Sequence, residues 1–426
     1  MSFHYRYFCS FYAAGILTQM RTHLSYFGAV GDGKTDDTKA VRDALLCGKP
    51  LDWHGFHCLV REPLKFDTDG GVVDIDGVNE AQASLIFDGV TTDHMEISWA
   101  NTKIRNLTVR GTGTQAGNAV CLLLCNCVRP LIENVHVVDY DNVGIMLHEC
   151  DYGSVDRCFV SNSAQRYNAG KVGTAVQLSG CRGTRVTDTV ALRTNFAFSI
   201  LGREYTEYAE SGYKLKIDRS TQETVGNSMH RCFASYFRGT PFNVNGCDAN
   251  VYFDCTAVNG EAKEEYPAFQ IKHPTNMPDV SFNKILACHV EGAARGYYMQ
   301  GGSFNDIGMC SARDIRWFAA RANLARGSRI WGIHADYCAM EDTKNVNGAL
   351  VVRNSMACDL RDCVVGFSSS KTLASVEQAT DITTGQLISC CELPTVMKVD
   401  GDSNRITVNG DAVKSTSIVV RPYGHV

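Results

Sequence analysis

A four-residue pattern recurs along most of the chain: an apolar residue, two variable residues, and then a small or apolar residue. The pattern occupies residues 104–107, 132–135, 155–158, 186–189, 229–232, 252–255, 285–288, 307–310 and 360–363, with a looser match at 335–338. Its last positions are 22 to 43 residues apart, with a mean of about 28. Self-similarity with a period of this length predicts a solenoid, in which each repeat forms one coil.

A second apolar column accompanies the first. Its members each lie 13 residues before a member of the first column, and they are Leu122, Ile145, Val176, Phe242 and Tyr297. The 13-residue offset is constant, whereas the full step from coil to coil varies widely. Two faces of each coil therefore keep a fixed spacing, and the insertions fall at one or more edges, as in solenoids that carry loops.

Short runs rich in β-branched residues and bounded by Gly, Asn and Asp predict β-strands, and helical periodicity is weak after residue 50. Side chains alternate between the two faces of a strand, so the ladder residues are expected to point into the coil and their neighbours outward. The inward set includes Cys158, Cys232, Cys255, Cys288, Cys310, Cys338 and Cys363. Because a narrow interior accommodates small side chains, we expect most of the 19 cysteines to be buried and reduced.

The segment 26–45, YFGAVGDGKTDDTKAVRDAL, combines a glycine-rich turn with an amphipathic stretch. It predicts a short helix over Asp36–Leu46, capped by Thr35 or Asp36 and ended by Gly48. Such a helix would cover the open end of the first coil, an edge that otherwise invites aggregation. We interpret Asp36 and Asp37 as capping residues rather than catalytic ones.

This string closely resembles the opening of the pectate-lyase-like superfamily, which includes phage tailspike depolymerases, polygalacturonases, lyases and epimerases. With the repeat, the resemblance implies an all-β chain that forms a single right-handed parallel β-helix with a short N-terminal capping helix. We divide the chain into an N-terminal extension (1–25), the capping motif and helix (26–50), the β-helix (51–390), and a segment (391–426) that closes the last coil or contacts another subunit.

The catalytic motifs of polygalacturonases do not occur in order, and Gly424-His425 lacks the glycine that would complete one of them. The resemblance is therefore best to tailspikes. It implies a depolymerase of a bacterial surface polysaccharide, either a glycoside hydrolase or a lyase, located on a virion tail or extracellularly and assembled as a homotrimer. The alternatives are a secreted polygalacturonase- or epimerase-like cell-wall enzyme and a non-catalytic glycan-binding tail module.

Composition excludes several other classes. The net charge is −5 and no Lys/Arg cluster occurs, so nucleic acid is not an expected partner. No segment has the 18 or more apolar residues of a membrane span, and the mildly apolar segment 8–17 lacks a clean cleavage site, so a signal peptide is not expected. The cysteines lack zinc spacing and the histidines form no convincing metal-ligand pair, so neither a metal nor a cofactor is expected.

The outward neighbours of the ladder supply the candidate chemistry. Asp188, Arg231 and Asp254 follow one another on successive coils. Carboxylates two strands apart lie roughly 9.6 Å apart at the backbone, close to the roughly 6.5–9.5 Å of inverting glycosidases. Arg231 would keep one carboxylate ionised. We therefore predict Asp188 and Asp254 as catalytic, with Arg231, Phe233 and His289 binding substrate. The alternative is a column of exposed charges that contributes little to the stability of the fold.

The longest step between coils contains an insertion rich in Glu and Tyr. Glu204 and Glu207 are predicted to supply a protonated catalytic partner, and Tyr205 and Tyr208 to pack against sugar rings. The alternative is a solvated acidic loop. Trp317 lies in another segment with several arginines, which is predicted to bind an acidic glycan or to pack between subunits.

Overall fold

The computed structural model describes residues 21–67, 70–113, 119–164, 173–202, 223–261, 266–273, 281–339, 348–366, 372–380 and 382–384, and the backbone of four later strands. The chain is a parallel β-solenoid of about 11 turns. One α-helix, α1 (Thr38–Leu46), and one 3-10 helix (Leu24–Phe27) occur among the described residues. The parallel β-helix predicted from the repeat is confirmed.

A typical coil contains three strands. The first strands form a 13-stranded sheet that comprises β5 (Leu64–Asp67), β8 (Met95–Ser98), β10 (Val120–Cys125), β12 (Val143–His148), β15 (Thr174–Ser179), β18 (Phe196–Leu201), β21 (Phe242–Asn245), β24 (Pro267–Lys272), β27 (Arg295–Gln300), β30 (Ala320–Asn323), β33 (Leu350–Arg353), β36 (Thr372–Glu377) and β39 (Thr395–Val399).

The second and third strands belong to a 28-stranded sheet that folds around the rest of the coil. Its N-terminal members are β1 (Thr22–His23), β2 (Asp32–Asp36), β3 (Leu51–Asp52), β4 (His57–Val60), β6 (Val72–Asp76), β7 (Ser84–Phe87), β9 (Asn101–Arg110), β11 (Leu131–Val138), β13 (Ser154–Asp156), β14 (Phe159–Ser161), β16 (Arg185–Thr187), β17 (Val190–Leu192), β19 (Ser228–His230) and β20 (Phe233–Ser235). The remainder are β22 (Val251–Phe253), β23 (Thr256–Val258), β25 (Lys284–Leu286), β26 (His289–Glu291), β28 (Asp306–Gly308), β29 (Ser311–Ile315), β31 (Arg329–Trp331), β32 (His334–Cys338), β34 (Asp359–Arg361), β35 (Cys363–Val365), β37 (Thr383–Thr384), β38 (Leu387–Ser389), β40 (Ile406–Val408) and β41 (Asp411–Val413).

The interior is built from side chains that stack in register from coil to coil. The second apolar column of the sequence lies on the 13-stranded sheet, where Val176 pairs with Phe198 and Phe198 with Phe242. The column continues through Phe269 to Tyr297, and the centroids of neighbouring aromatic rings are 4.5–5.1 Å apart. This separation matches the strand spacing of about 4.8 Å, so each ring covers the next and water is excluded.

The cysteine ladder is confirmed in its burial and corrected in its geometry. Among the described residues 16 cysteines have no disulfide partner, and all but Cys47 are buried. Cys158, Cys232 and Cys255 do not lie within strands, because each follows a residue with positive φ that bends the chain between the second and third strands. The thiol of Cys158 donates to the carbonyl of Asp156, 3.4 Å away, which satisfies its weak donor.

The position of Cys338 was predicted wrongly. His334 pairs with Ser311, so the residue that stacks on Cys310 is Ile333. Cys338 instead aligns with Ile315, five residues further along the coil. The looser sequence match at 335–338 therefore placed this coil out of register.

A buried polar ladder lies where the chain enters the second strands. The backbone N–H of Asn227 donates to Oδ1 of Asn250 (3.0 Å), and the N–H of Asn250 donates to Oδ1 of Asn283 (2.9 Å). The series begins at Thr184 and continues to Asn305 with the same geometry. Each amide thus satisfies a backbone donor that the corner would otherwise leave unpaired.

Helix α1 begins two residues later than predicted and covers the first coil with Val41, Ala44 and Leu45. Asp36 accepts hydrogen bonds from the backbone N–H and the hydroxyl of Thr38, whereas Asp37 accepts from N–H groups of the preceding turn, at Val30 and Gly31. Both carboxylates thus have structural hydrogen-bond partners.

Candidate functional site

The bend between the second and third strands carries the predicted catalytic residues. Arg231 donates two hydrogen bonds of 2.7 Å to the two carboxylate oxygens of Asp188 on the preceding coil. The Arg231 guanidinium lowers the pKa of Asp188, and Arg231 has its own pKa raised mainly by Asp188 and less by Asp254. Asp188 is thus held as a carboxylate, which suits a base and not an acid.

The local backbone differs from the prediction for this column. Asp188, Arg231 and Asp254 have φ of 48°, 50° and 53° and sit at the bend, rather than on the outward face of a strand. The prediction assumed that side chains alternate along a continuous strand. A single residue with left-handed backbone geometry changes the direction of the chain, so alternation does not hold at the bend. We name the set from Asn134 to Asp254 at this bend the bend column, and its members are Asn134, Arg157, Asp188, Arg231 and Asp254.

The other predicted binding residues lie in several places. Phe233 and His289 occupy one outward column of the third strands, where Nδ1 of His289 lies 2.8 Å from the hydroxyl of Ser311 and Nε2 lies 3.6 Å from Glu291. Glu204, Tyr205, Glu207 and Tyr208 lie outside the described residues.

Between β13 and β32, the connections between strands vary in length only beside the 13-stranded sheet. From β13 to β32, two residues always separate the second strand of a coil from the third. The connection that leaves the 13-stranded sheet usually has five residues, but 26 separate β18 from β19 and 11 separate β24 from β25. The connection that returns to this sheet ranges from three residues, before β18, to 12, before β15.

The outer face of the 13-stranded sheet, between these two variable edges, is here named the loop-flanked face. Loops on a regular scaffold commonly carry binding residues. The outward side chains of this face include Leu123, Cys125, Met146, His148, Gln177, Ser179, Ser199, Leu201, Asn243, Asn245, Gln270, Lys272, Arg295, Tyr298, Gln300, Arg321, Asn323, Val351, Arg353, Ser375 and Glu377. Its centre is therefore rich in amides and hydroxyls.

Several of these polar groups are buried without a hydrogen-bond partner. They include Oγ of Ser179 and the side-chain oxygens of Asn243 and Asn245. Most buried polar groups in proteins are hydrogen-bonded, so an unpaired group calls for an explanation. Because these oxygens have almost no solvent-accessible surface, they belong to the packed part of the face and are closed to an external ligand in this structure.

Aromatic and basic side chains meet near the C-terminal end of the loop-flanked face. The guanidinium carbon of Arg295 lies 4.4 Å from the ring centroid of Trp317, and that of Arg321 lies 5.7 Å from the rings of both Tyr298 and Phe318. The structure thus places Trp317, predicted to bind substrate, in a cluster with an apolar surface and two cations.

A pocket of about 490 Å³ opens where the early third strands return towards the 13-stranded sheet. Two carboxylates line it, Asp88 at the end of β7 and Asp139 at the end of β11, two coils apart. Arg61 lies 3.5 Å from Asp88, and Arg110 lies 3.7 Å from Asp139. The spacing expected at the backbone is roughly 9.6 Å, the same as in the bend column. Here, however, a cavity adjoins the pair.

No family model and no curated protein matches the sequence. Solved structures do match it. Gene product 12 of bacteriophage phi29 has a TM-score of 0.59 at 11% identity, over 94% of this chain and 58% of that one. The tailspike protein gp49 of Pseudomonas phage LKA1 has a TM-score of 0.56 at 12% identity, over 91% of this chain and 84% of that one. The chain has the parallel β-helix fold of phage tailspikes.

A glycoside hydrolase has a similar fold. The catalytic unit of a GH87 α-1,3-glucanase from Streptomyces thermodiastaticus has a TM-score of 0.51 at 11% identity, over 92% of this chain and 70% of that one. At these identities the likeness shows the parallel β-helix fold and no shared residue roles. The described part of the chain contains no group of three or more His, Cys, Asp or Glu side chains that could hold a metal ion. Nor does that part contain a helix long and apolar enough to span a bilayer.

Sequence reasoning missed the loop-flanked face and the pocket. The 13-residue offset was the available signal: Ala320 precedes Ile333 by 13, and Leu350 precedes Cys363 by 13. Where the offset is longer, as from Phe198 to Cys232, the excess measures an insertion beside the 13-stranded sheet. Applied to every coil, this rule would have located the variable edges.

Proposed function

We propose that this protein is a depolymerase that binds a polysaccharide along the loop-flanked face and hydrolyses it. The observation that carries the proposal is that, in the coils from β13 to β32, length variation is confined to the two edges of that face. Thirteen strands at about 4.8 Å spacing make a strip roughly 58 Å long, which accommodates many sugar residues of a linear chain.

We place the reaction in the pocket between Asp88 and Asp139. Glycoside hydrolysis requires one carboxyl group to protonate the leaving oxygen and another to act as base or nucleophile. Both groups line a cavity whose size is typical of small-ligand sites. Arg110, 3.7 Å from Asp139, lines the same pocket.

The bend column is the alternative location of the reaction. The sequence predicts Asp188 and Asp254 as its carboxylates, assisted by Glu204 and Glu207 of the insertion. Glu204 and Glu207 belong to the sequence between β18 and β19 and lie outside the described residues. The bend column and the pocket are separate proposals.

A screen of purified bacterial surface polysaccharides tests the function. We expect at least one glycan to yield new reducing ends without the ultraviolet absorbance of an unsaturated product. Absorbance would identify a lyase instead. Retention of a glycan without cleavage would support the non-catalytic binding module, and absence of both binding and cleavage on all glycans would contradict the proposal.

A further inference from the structure

Three arginines occupy consecutive strands of the loop-flanked face: Arg295 on β27, Arg321 on β30 and Arg353 on β33. Arg321 pairs with Tyr298 of β27 and with Val351 of β33, so Arg295 and Arg353 lie three and two residues from it along the neighbouring strands. Arg353 lowers the pKa of Arg321 in addition to the larger effect of burial. A cluster of this kind is stabilised when an anion lies against it.

The charge of Arg353 is already compensated, and that of Arg321 is not. Nε of Arg353 lies 3.6 Å from the carboxylate of Glu377. Arg321 forms no ion pair with a carboxylate among the described residues, and its Nε is buried without a hydrogen-bond partner. A buried donor without a partner is costly. The guanidinium fork binds carboxylate and other oxyanions through two parallel hydrogen bonds.

The surroundings of Arg321 suit a sugar ring as well as an anion. Tyr298, Phe318 and Val351 form an apolar cluster, and Trp317 packs against it. Beside them, Nδ2 of Asn323 lies 3.4 Å from the Tyr298 hydroxyl. Tyr298, Phe318 and Val351 are buried, so the half-buried Trp317 is the ring that can cover the C–H surface of a sugar, with the half-buried Asn323 beside it for the polar edge.

A purely structural cluster would account for part of this arrangement. Stacking of arginine on aromatic rings contributes about 0.5–2 kcal/mol at such sites. Stacking does not provide a hydrogen-bond partner for the Nε–H of Arg321, because this bond lies in the plane of the guanidinium group and not towards a ring face. The unpaired donor is the feature that distinguishes a binding site from a packing arrangement.

We propose that Arg321, with Arg295 and the aromatic cluster, forms a subsite for an anionic sugar residue of the bound glycan. This inference rests on the proposed function, because it assigns a charge to the substrate of the same face. It places the anion towards the C-terminal coils, several strands away from the pocket of Asp88 and Asp139.

Three hexasaccharide probes with one backbone test the subsite in the full chain: cellohexaose, its C6-carboxylated form and its C6-sulfated form. Calorimetric titration should show at least one anionic hexamer binding about tenfold or more tighter than cellohexaose, an advantage that falls as salt increases. The anion with the larger advantage identifies the charged group. Equal affinities, or no binding of either anionic hexamer, would overturn the subsite.

Substitutions of Arg321 test whether this residue causes the tighter binding of the anionic hexasaccharides. Arg321→Met retains much of the side-chain volume and should remove the advantage of the anionic probe. Arg326→Met, at an exposed corner, should leave it unchanged. If Arg321→Met does not fold, Arg321→Lys, which keeps the charge but lacks the fork, should still reduce the advantage. An unchanged advantage in the folded Arg321 variant would overturn the assignment. If cellohexaose or a neutral bacterial glycan binds while the anionic probes show no advantage, the subsite fails and the proposed function stands.

Discussion

Arg231 donates two hydrogen bonds of 2.7 Å to the two carboxylate oxygens of Asp188 on the neighbouring coil. The pair is exposed, with side-chain accessibilities of 55% for Arg231 and 39% for Asp188. Exposed ion pairs contribute about 0–1 kcal/mol to stability. The geometry therefore fits a surface pair as well as a catalytic one, and only substitution separates the two roles.

Matched substitutions at the two Asp pairs decide where cleavage occurs. We expect Asp88→Asn and Asp139→Asn to lower kcat by at least about 100-fold, the scale of general acid–base catalysis, and Asp188→Asn and Asp254→Asn to change it by less than about threefold. All four removals of charge are at the surface or at a pocket rim, so folding should be retained. The measurement is reducing-end release from the glycan found in the screen.

The prediction from the sequence ranks these variants in the opposite order. A loss of at least about 100-fold in Asp188→Asn or Asp254→Asn, with normal turnover in the pocket variants, would place the reaction in the bend column. Circular dichroism spectra of all four variants control for misfolding.

The cysteines should be reduced and slow to react. Burial raises the pKa of Cys158 and Cys181 to about 12, so their thiols are protonated at neutral pH. Titration with a thiol reagent should show slow reaction of most groups in the native protein and approach the full 19 after denaturation. The half-buried Cys47 is expected to react before the ladder thiols. Immediate reaction of most thiols would contradict the buried ladder.

The asparagine ladder should make a measurable contribution to stability. Asn250→Ala removes the acceptor for the N–H of Asn227 and leaves that donor buried. We expect the free energy of unfolding to fall by about 1–3 kcal/mol, the usual cost of one unsatisfied buried group. Lys284→Ala, at an exposed position of β25, is the control and should have little effect. Equal denaturation midpoints for Asn250→Ala and the wild type would show that the ladder is dispensable.

His148 should make the protein less stable in acid. Burial lowers its pKa from an ordinary 6.5 to about 4, so between these values the unfolded chain binds a proton that the folded chain does not. Stability therefore falls as the pH decreases from about 6.5 to about 4, by up to about 3 kcal/mol from this group. The carboxylate of Glu149 lies 4.0 Å from Nε2 of His148.

His148→Gln should flatten the dependence of unfolding free energy on pH across this interval, whereas His334→Gln, at an exposed site, should not. Urea unfolding at a series of pH values measures both. If His148→Gln retains the slope of the wild type, the acid sensitivity has another origin.

The protein is expected to be a homotrimer, by resemblance to tailspikes. Sedimentation equilibrium should then give about three times the chain mass of 46.7 kDa. A monomeric mass at micromolar concentration would count against the trimer. It would leave the coil and the loop-flanked face unchanged, since one chain forms both.

Most of the fold could be predicted from the sequence, because the same spacing of apolar residues recurs in successive coils. The 13-residue offset equals the fixed path from the first strand to the bend, so Ile145 and Cys158 reveal one coil without any structure. The bend itself was not accessible, because strand alternation does not anticipate a left-handed residue such as Asp188. The thiols were still assigned inward, since the residue after the bend also faces the core.

The candidate site was less accessible. Arg321 meets Tyr298 and Phe318 only after the register of neighbouring coils is known, and that register depends on insertions of unequal length. Burial of Nε in Arg321 is likewise a property of the assembled face. The sequence did place Trp317 beside arginines, and the structure shows that Arg295, 22 residues before it, is the one that covers its ring.

From β13 to β32 the bend has a constant length, whereas the connections beside the 13-stranded sheet differ in length. The core can therefore stay the same while the loops change. Insertions beside the 13-stranded sheet leave the stacked interior untouched, as the 26-residue connection between β18 and β19 already demonstrates. A descendant of this chain could therefore acquire a new ligand by exchanging loops, with no need to rebuild its core. Sequences related to it should differ in length at those two edges and keep two residues at the bend.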